Sequence, residues 1–308
     1  MSELHFDVTA VSPAPEIRAA PAWLKRAAGL ARAVLAGTMG KVSAASVGLM
    51  LILAVSAGII APYDPIAIAP MDRLEGPSLS HPLGTDQLGR DLLSRVFEGT
   101  RTVMEVVVAG IGGALAIGLT MGLVAGFGPR LLASALMLVS DVVMSLPMML
   151  FALAMTAMLG GGLETVVFVV IAFMVPAYFR VARGQTLTLK GADYVAAARA
   201  MGASPLRIIT RHLLPNMAGP LLVLIAMDVP TVIGIESGLS FLGQGAQPPT
   251  STWGSILRDG FAFIRQAPHI VLAGGLPILI ATVGFTFFSE ALRDALDPRL
   301  VGKKARPK

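Results

Sequence analysis

Long apolar runs alternate with short polar stretches along this chain. Six runs stand out, at residues 42–61, 103–127, 131–159, 165–181, 218–239 and 270–288. A helix rises about 1.5 Å per residue, so roughly 20 apolar residues cross a bilayer core. Each run therefore predicts one membrane-spanning helix. Loop-forming residues mark the breaks: Pro62-Tyr63-Asp64-Pro65, Gly128-Pro129-Arg130, Gly160-Gly161-Gly162 and Pro248-Pro249. The expected fold class is all-α, a polytopic bundle of six transmembrane helices with both termini on one side.

Outside the runs, residues 1–20 lack apolar periodicity and read as a disordered tail. Residues 21–41 form a basic interfacial segment, 42–300 the transmembrane domain and 301–308 a basic tail. The first long run begins only at Val42 and no small-residue cleavage site follows it, so no signal peptide is expected.

Composition agrees with the pattern. The chain is 55% hydrophobic and only 14% charged, with a mean hydropathy of +0.74; soluble domains average about 25% charged residues. The absence of Cys excludes disulfides and thiolate chemistry. The four His (His5, His81, His212, His269) are too scattered for metal-ligand spacing, so no metal site is predicted.

The net charge of +5 is better explained by topology than by nucleic-acid binding. With both termini cytoplasmic, Arg73, Arg90, Arg95, Arg101, Arg258 and Arg265 are the outer basic residues; the other eighteen of the 24 Lys and Arg lie inside. This bias places residues 62–101 outside and residues 184–215 in the cytoplasm. The outer side also holds Asp64, Asp72, Glu75, Asp86, Asp91, Glu98 and Asp259.

Within the second run, Gly110, Ala114, Gly118, Gly122 and Gly126 recur every four residues and form a ridge for close helix approach. Packing within the chain is favoured over a subunit interface. Ionisable residues inside the runs are few. Glu105 and Glu236 lie near outer ends, at hydrated positions. Asp141 and Asp228 are expected to face the bundle interior, where helix–helix hydrogen bonding is favoured over lining a pathway.

The polar island at 193–216 has the local chemistry of two short helices. Asp193 is placed to cap the first, and residues 194–201 are mostly good helix formers. Gly202 supplies a left-handed end, and Ser204 with Pro205 restarts a helix as cap and first turn. Pro215 ends or bends the second. Tyr194, Ala197, Ala198 and Met201 are expected on one face. That face either seats in a partner's groove or lies on lipid headgroups.

These residues carry a resemblance. Ala196-Ala197-Ala198, Gly202 and Leu214-Pro215 fall at the offsets of the cytoplasmic motif of permease subunits of binding-protein-dependent ABC importers. The motif's usual Glu is Ala196 here and its usual Ile is His212, which removes a possible salt bridge and leaves packing to act. The stretch His81-Pro82-Leu83-Gly84-Thr85-Asp86-Gln87-Leu88-Gly89-Arg90-Asp91-Leu92-Leu93-Ser94-Arg95 is similar to the external segment of the second permease in dipeptide, oligopeptide and nickel importers. Two further stretches agree: the first runs from Leu239 to Pro249 and on to Trp253-Gly254, and the second is Leu292-Arg293-Asp294-Ala295-Leu296-Asp297-Pro298-Arg299.

The resemblance implies a type I ABC importer permease in a bacterial inner membrane, carrying short peptides. Nickel and peptide-like solutes such as glutathione are lesser options. It implies a homologous second permease, two ATPase subunits that use ATP and Mg, and an external solute-binding protein as partners, with no cofactor in this chain and no nucleic acid. Asp193, Tyr194, Ala196, Ala197, Ala198, Met201, Gly202, Ser204, Pro205 and Arg207 then form the ATPase-coupling segment. Gly84, Thr85, Asp86, Gly89, Arg90, Asp91 and Arg95 form the external motif. Its Leu88, Leu92 and Val96 make an apolar stripe with Asp86 or Thr85 as cap and Arg90 and Arg95 reaching headgroups, and interfacial packing is favoured over contact with a binding protein or solute. Asp141, Asp228 and Glu236 are candidate pathway or helix–helix residues.

No engine is encoded alongside. None of the six Lys is followed by Ser or Thr, so the phosphate-cradling Gly-x4-Gly-Lys-Ser/Thr loop is absent. No constellation of nucleophile, base or paired carboxylates can be inferred either, so the chain is not expected to be an enzyme. A secondary carrier, needing no ATPase, is the distant alternative.

Overall fold

The structure is a computed structural model that describes residues 29–296. The expected tails at 1–20 and 301–308, and Asp297-Pro298-Arg299 of the terminal motif, lie outside the described residues. Those described are nearly all helical: α1 (Thr38–Ile60), α2 (Leu92–Phe127), α3 (Arg130–Ser145), α4 (Met148–Leu159), α5 (Leu163–Lys190), α6 (Asp193–Ala200), α7 (Pro205–Ile208), α8 (Leu214–Phe241), α9 (Trp253–Ala262) and α10 (Pro268–Leu296). Among them there is no strand, only one isolated bridge between Thr85 and Asp91.

α1, α2, α5, α8 and α10 are each long and apolar enough to cross a membrane. The run 131–159, read from sequence as one straight span, is instead broken: α3 and α4 meet at 95°. The cause is Pro147, which cannot donate to the helix and restricts the residue before it. Leu146 is accordingly extended, and Pro147 starts α4 as its cap residue. Four other prolines (Pro176 in α5, Pro220 and Pro230 in α8, Pro277 in α10) sit inside helices without ending them. Spanning helices tolerate this because neighbouring groups satisfy the freed carbonyls.

The small-residue ridge explains why the bent pair counts as one crossing. Gly110 lies against Val170, Gly118 against Tyr178 and Phe179, Gly122 against Ala182 and Gly126 against Thr186. Partner numbers rise together, so α2 and α5 run parallel. The chain must return between them, and α3 with α4 makes that single return. Packing of the ridge is therefore within the chain, as expected. Lys190 Nζ donates to Gly126 O at 2.6 Å and ties the last turns of the two helices.

Both described ends meet at one end of the bundle. Val34, in the helical residues 29–34, packs with Leu292 of α10, with Leu30, Ala291 and Leu296 beside them. Residues 62–91 and α9 occupy the opposite end, over the start of α2. The main core joins Val103, Val106 and Val107 of α2 to Val166, Val169 and Val170 of α5 and to Val232, Ile233 and Ile235 of α8.

Candidate functional site

The segment joining α5 to α8 is an elbow built from its own sequence. α6 begins at Asp193, but Asp193 is not its cap: Ala192 takes that position with no side-chain hydrogen bond. The Asp193 carboxylate instead sits in the first turn, favourable for the helix dipole. At the other end Gly202 adopts φ +80°. Ala203 N–H donates to Ala198 O at 3.0 Å and Gly202 N–H to Arg199 O at 2.9 Å, which closes the last carbonyls in a Schellman arrangement. Ser204 then caps α7, its hydroxyl accepting from Arg207 N–H at 3.4 Å, with Pro205 in the first turn.

α7 continues through a wide π turn at Ile209–Leu213 into α8. Pro215 lies in the first turn of α8 and lacks the N–H that an α-helical continuation needs, so the turn widens around it. Asn216 Nδ2 donates back to His212 O at 2.6 Å. Pro215 thus bends the path without ending the helix.

The faces of the elbow differ from the expected set in one residue. Val195 and Ala198 are both buried and turn inward, with Val195 joining Ile208, Leu213 and Met217 in the core. Ala198 is therefore an anchor, not part of the free surface with Tyr194, Ala197 and Met201; at i and i+3 it shares the face of Val195. The free surface includes Tyr194, Ala196, Ala197, Met201 (82% exposed) and Leu206 (70% exposed), with the charged Asp193, Arg199 and Arg207 also exposed around them. Tyr194 and His212 rings stand 6.0 Å apart across the elbow.

At the other end of the bundle the motif residues form a buried ion network. Asp86 is wholly inaccessible. Its carboxylate accepts from Arg90 Nε at 2.6 Å, from Arg95 Nη1, and from the Leu88 and Arg90 amides at 2.7 and 3.0 Å. Arg95 also donates to Ser251 Oγ at 3.1 Å and to Asp259 Oδ2 at 3.3 Å, and Arg90 Nη2 lies 3.6 Å from Asp259. Arg90 and Arg95 therefore do not reach headgroups; both are buried between two carboxylates. Nor do Asp86 or Thr85 cap α2. Asp91 does, accepting from Ser94 N–H at 2.8 Å and Ser94 Oγ at 2.7 Å, while His81 Nδ1 lies 2.9 Å from its other oxygen.

Gly84 and Gly89, both at positive φ, shape the loop between these charges. Thr85 accepts from the Glu75 amide and donates to Asp72 O, and its own carbonyl lies 3.3 Å from His269 Nε2. Leu92 and Val96 are buried while Leu88 is exposed, so the expected apolar stripe is only partly packed. Asp259, which completes the network with Ser251, was legible only as an outer acid, and Ser251 carried no signal. Trp253 is also wholly buried, its indole Nε1 donating to Thr100 Oγ1 at 3.3 Å.

The four acidic groups of the spans separate. Glu236, expected near water, is wholly buried and accepts from Ser240 Oγ at 2.6 Å and Ser237 Oγ at 3.3 Å. Asp228 is half-buried, with Oδ2 lacking any hydrogen-bond partner among the described residues. Asp141, expected inside, faces out of the bundle and accepts from Arg180 Nη2 of α5. It does make the helix–helix bond anticipated for it. Glu105 is exposed and paired with Arg101 at 3.0 Å.

A bundle of spanning helices, with a rigid elbow at one end and a buried charge network at the other, defines a polytopic helical membrane protein. A family model described as the inner membrane component of binding-protein-dependent transport systems matches residues 118–302. The chain belongs to this family, the permease subunits of ABC importers. It is 38% identical over 260 residues to the glutathione transport system permease protein GsiD of Pectobacterium atrosepticum, covering 83% of this chain and 86% of the relative. It is 35% identical over 261 residues to the dipeptide transport system permease protein DppC of Alkalihalophilus pseudofirmus, with the same coverages of 83% and 86%. The MetNI methionine ABC transporter in an inward-facing conformation superposes with a TM-score of 0.53 over 67% of this chain and 96% of that chain. At 18% identity that likeness speaks for the fold alone.

Proposed function

We propose that the chain is the permease of an ATP-driven importer of short peptides, glutathione and dipeptides among them. It lines the pathway with a homologous second permease, receives solute from an external binding protein, and is driven by two ATPase subunits docked on the α6–α7 elbow. The observation that carries this reading is the elbow itself. An apolar free surface of Tyr194, Ala197, Met201 and Leu206 is held rigid by its Schellman end and by the buried anchors Val195 and Ile208. A stiff, shallow apolar knob is suited to seating in a groove and transmitting displacement. Ala196 offers no charge, so shape complementarity does the docking. The excess of Lys and Arg on the elbow's side supports a cytoplasmic position for it and an external one for residues 62–101 and α9.

Reconstitution tests the reading. Liposomes holding this chain, its second permease and the ATPase subunits, supplied with the binding protein, are expected to accumulate glutathione or dialanine only when ATP is inside the ATPase compartment. Accumulation without the ATPase subunits sinks the proposal in favour of a secondary carrier. The docking role has its own test. Gly202→Val places a β-branched residue at φ +80°, a strain of about 1–3 kcal/mol. The elbow then reorients, and co-purification with the ATPase and uptake are both expected to fall. Unchanged values of both mean that the bend does not set docking.

A further inference from the structure

Two exposed features lie within six residues of each other along α3. The first is the Asp141–Arg180 pair, whose side chains are 56% and 45% exposed. Asp141 lies roughly 16 Å along α3 from Arg130, and Arg180 roughly 15 Å back along α5 from Lys190, at 1.5 Å per residue. Arg180 is the second-last residue of the apolar run 165–181, so the pair lies toward the cytoplasmic end of the spans. The second feature is the break at Leu146 and Pro147, exposed on the same helix just beyond Ser145.

The break, in the middle of the run 131–159, excludes lipid from this face. Irregular backbone at membrane depth occurs only inside protein or against a water-filled cavity. A dry protein interface fits poorly too. Arg180 donates to Asp141 through Nη2 alone among the described residues, and a guanidinium carries five N–H donors. Buried in a dry contact, the remaining donors need acceptors; in a water-filled path they have them.

We infer that this face lines the solute path and that Arg180, held by Asp141, is the point at which a solute carboxylate is recognised. The inference rests on the importer reading above. A guanidinium fork takes a carboxylate through two parallel N–H donors, and the edge of Arg180 that Asp141 leaves free offers such a fork. Asp141 keeps the site neutral before the solute arrives, so the carboxylate is held weakly and released. Passage along a path requires that combination: favourable entry and easy exit. The solute class is small peptide-like molecules with a free carboxylate.

The test uses the assembled transporter in proteoliposomes, with glutathione and dialanine as probes. Arg180→Gln is expected to lower ATP-driven uptake of both by about tenfold, the loss of a charge-assisted hydrogen bond, while the two permeases still co-purify. Exchanging the charges, Asp141→Arg with Arg180→Asp, restores an ion pair but moves the guanidinium to α3, and uptake is expected to stay low. Recovery of uptake in the exchange overturns the inference, since the pair is then a strut. Loss of the second permease from purified Arg180→Gln also overturns it, because the pair is then a subunit contact.

The Cys-free sequence allows a separate readout. Ser145→Cys is expected to react with a charged methanethiosulfonate several-fold faster than Leu272→Cys on the exposed surface of α10. Equal, slow labelling shows a dry face and overturns the assignment. If the wild-type complex takes up neither peptide with ATP, the importer reading itself fails. If wild type and Arg180→Gln transport equally, only the assignment of Arg180 fails.

Discussion

Asp86→Ala is expected to destabilise the chain by about 3–5 kcal/mol, the range for leaving a buried charge without its partner. Asp86 is the common acceptor for Arg90 and Arg95 and for two backbone amides. Its removal strands two buried guanidinium groups, and Asp259 alone cannot neutralise both. The network also joins the start of α2 to Ser251 and α9, so the whole end of the bundle loosens. The measurement is the melting midpoint of the purified chain in detergent, together with its abundance in membranes. Asp86→Asn keeps the shape and some acceptor capacity, and its loss should be smaller. A midpoint for Asp86→Ala within a degree or two of wild type rules out a stabilising role for the network.

Gly118→Leu is expected to be nearly as damaging, for a steric reason. A side chain at Gly118 meets Tyr178 and the backbone of α5 at Val175 and Phe179, atoms that cannot rotate aside. Overpacking of this kind costs about 1–3 kcal/mol where side chains can adjust, and occasionally more. Here only separation of α2 from α5 relieves it, which forfeits dispersion contacts along the whole ridge. Gly112 lies on the same helix with nothing within reach, so Gly112→Leu serves as the control. Expected behaviour is a large loss of midpoint for Gly118→Leu and little change for Gly112→Leu. Equal effects of the two mean that the seam is not backbone-close.

Much of this architecture was legible from residue order. The apolar runs located the spans, the four-residue ridge identified the α2 seam, and Gly202 with Ser204-Pro205 gave the elbow its turn and restart. The misreadings of polar residues share one physical origin: periodicity reports where a helix is, but not what its polar residues meet. Arg90 and Arg95 looked free although Asp86 lies only four and nine residues before them, because Ser251 and Asp259, which close the network over them, lie far along the chain. Asp141 was placed inside because isolated charges in spans usually are, whereas its partner Arg180 lies on an uncovered face. Ala198 was misassigned because Ala on a short helix is ambiguous between an anchor and a surface. The break at Pro147 had a visible signal, a proline in the middle of an unusually long run, but other span prolines such as Pro230 leave their helices continuous.

The parallel seam between α2 and α5 also sets where the molecule can bend. Two rods joined backbone to backbone over most of their length, and pinned at one end by Lys190, cannot slide past each other. They behave as a single beam, and α6 follows directly from its end. Displacement applied at the elbow therefore arrives at the far end of the beam as tilt, with little lost to internal shear. Compliance is left to the joints outside the beam: the corner at Pro147 and the wide turn at Ile209–Leu213.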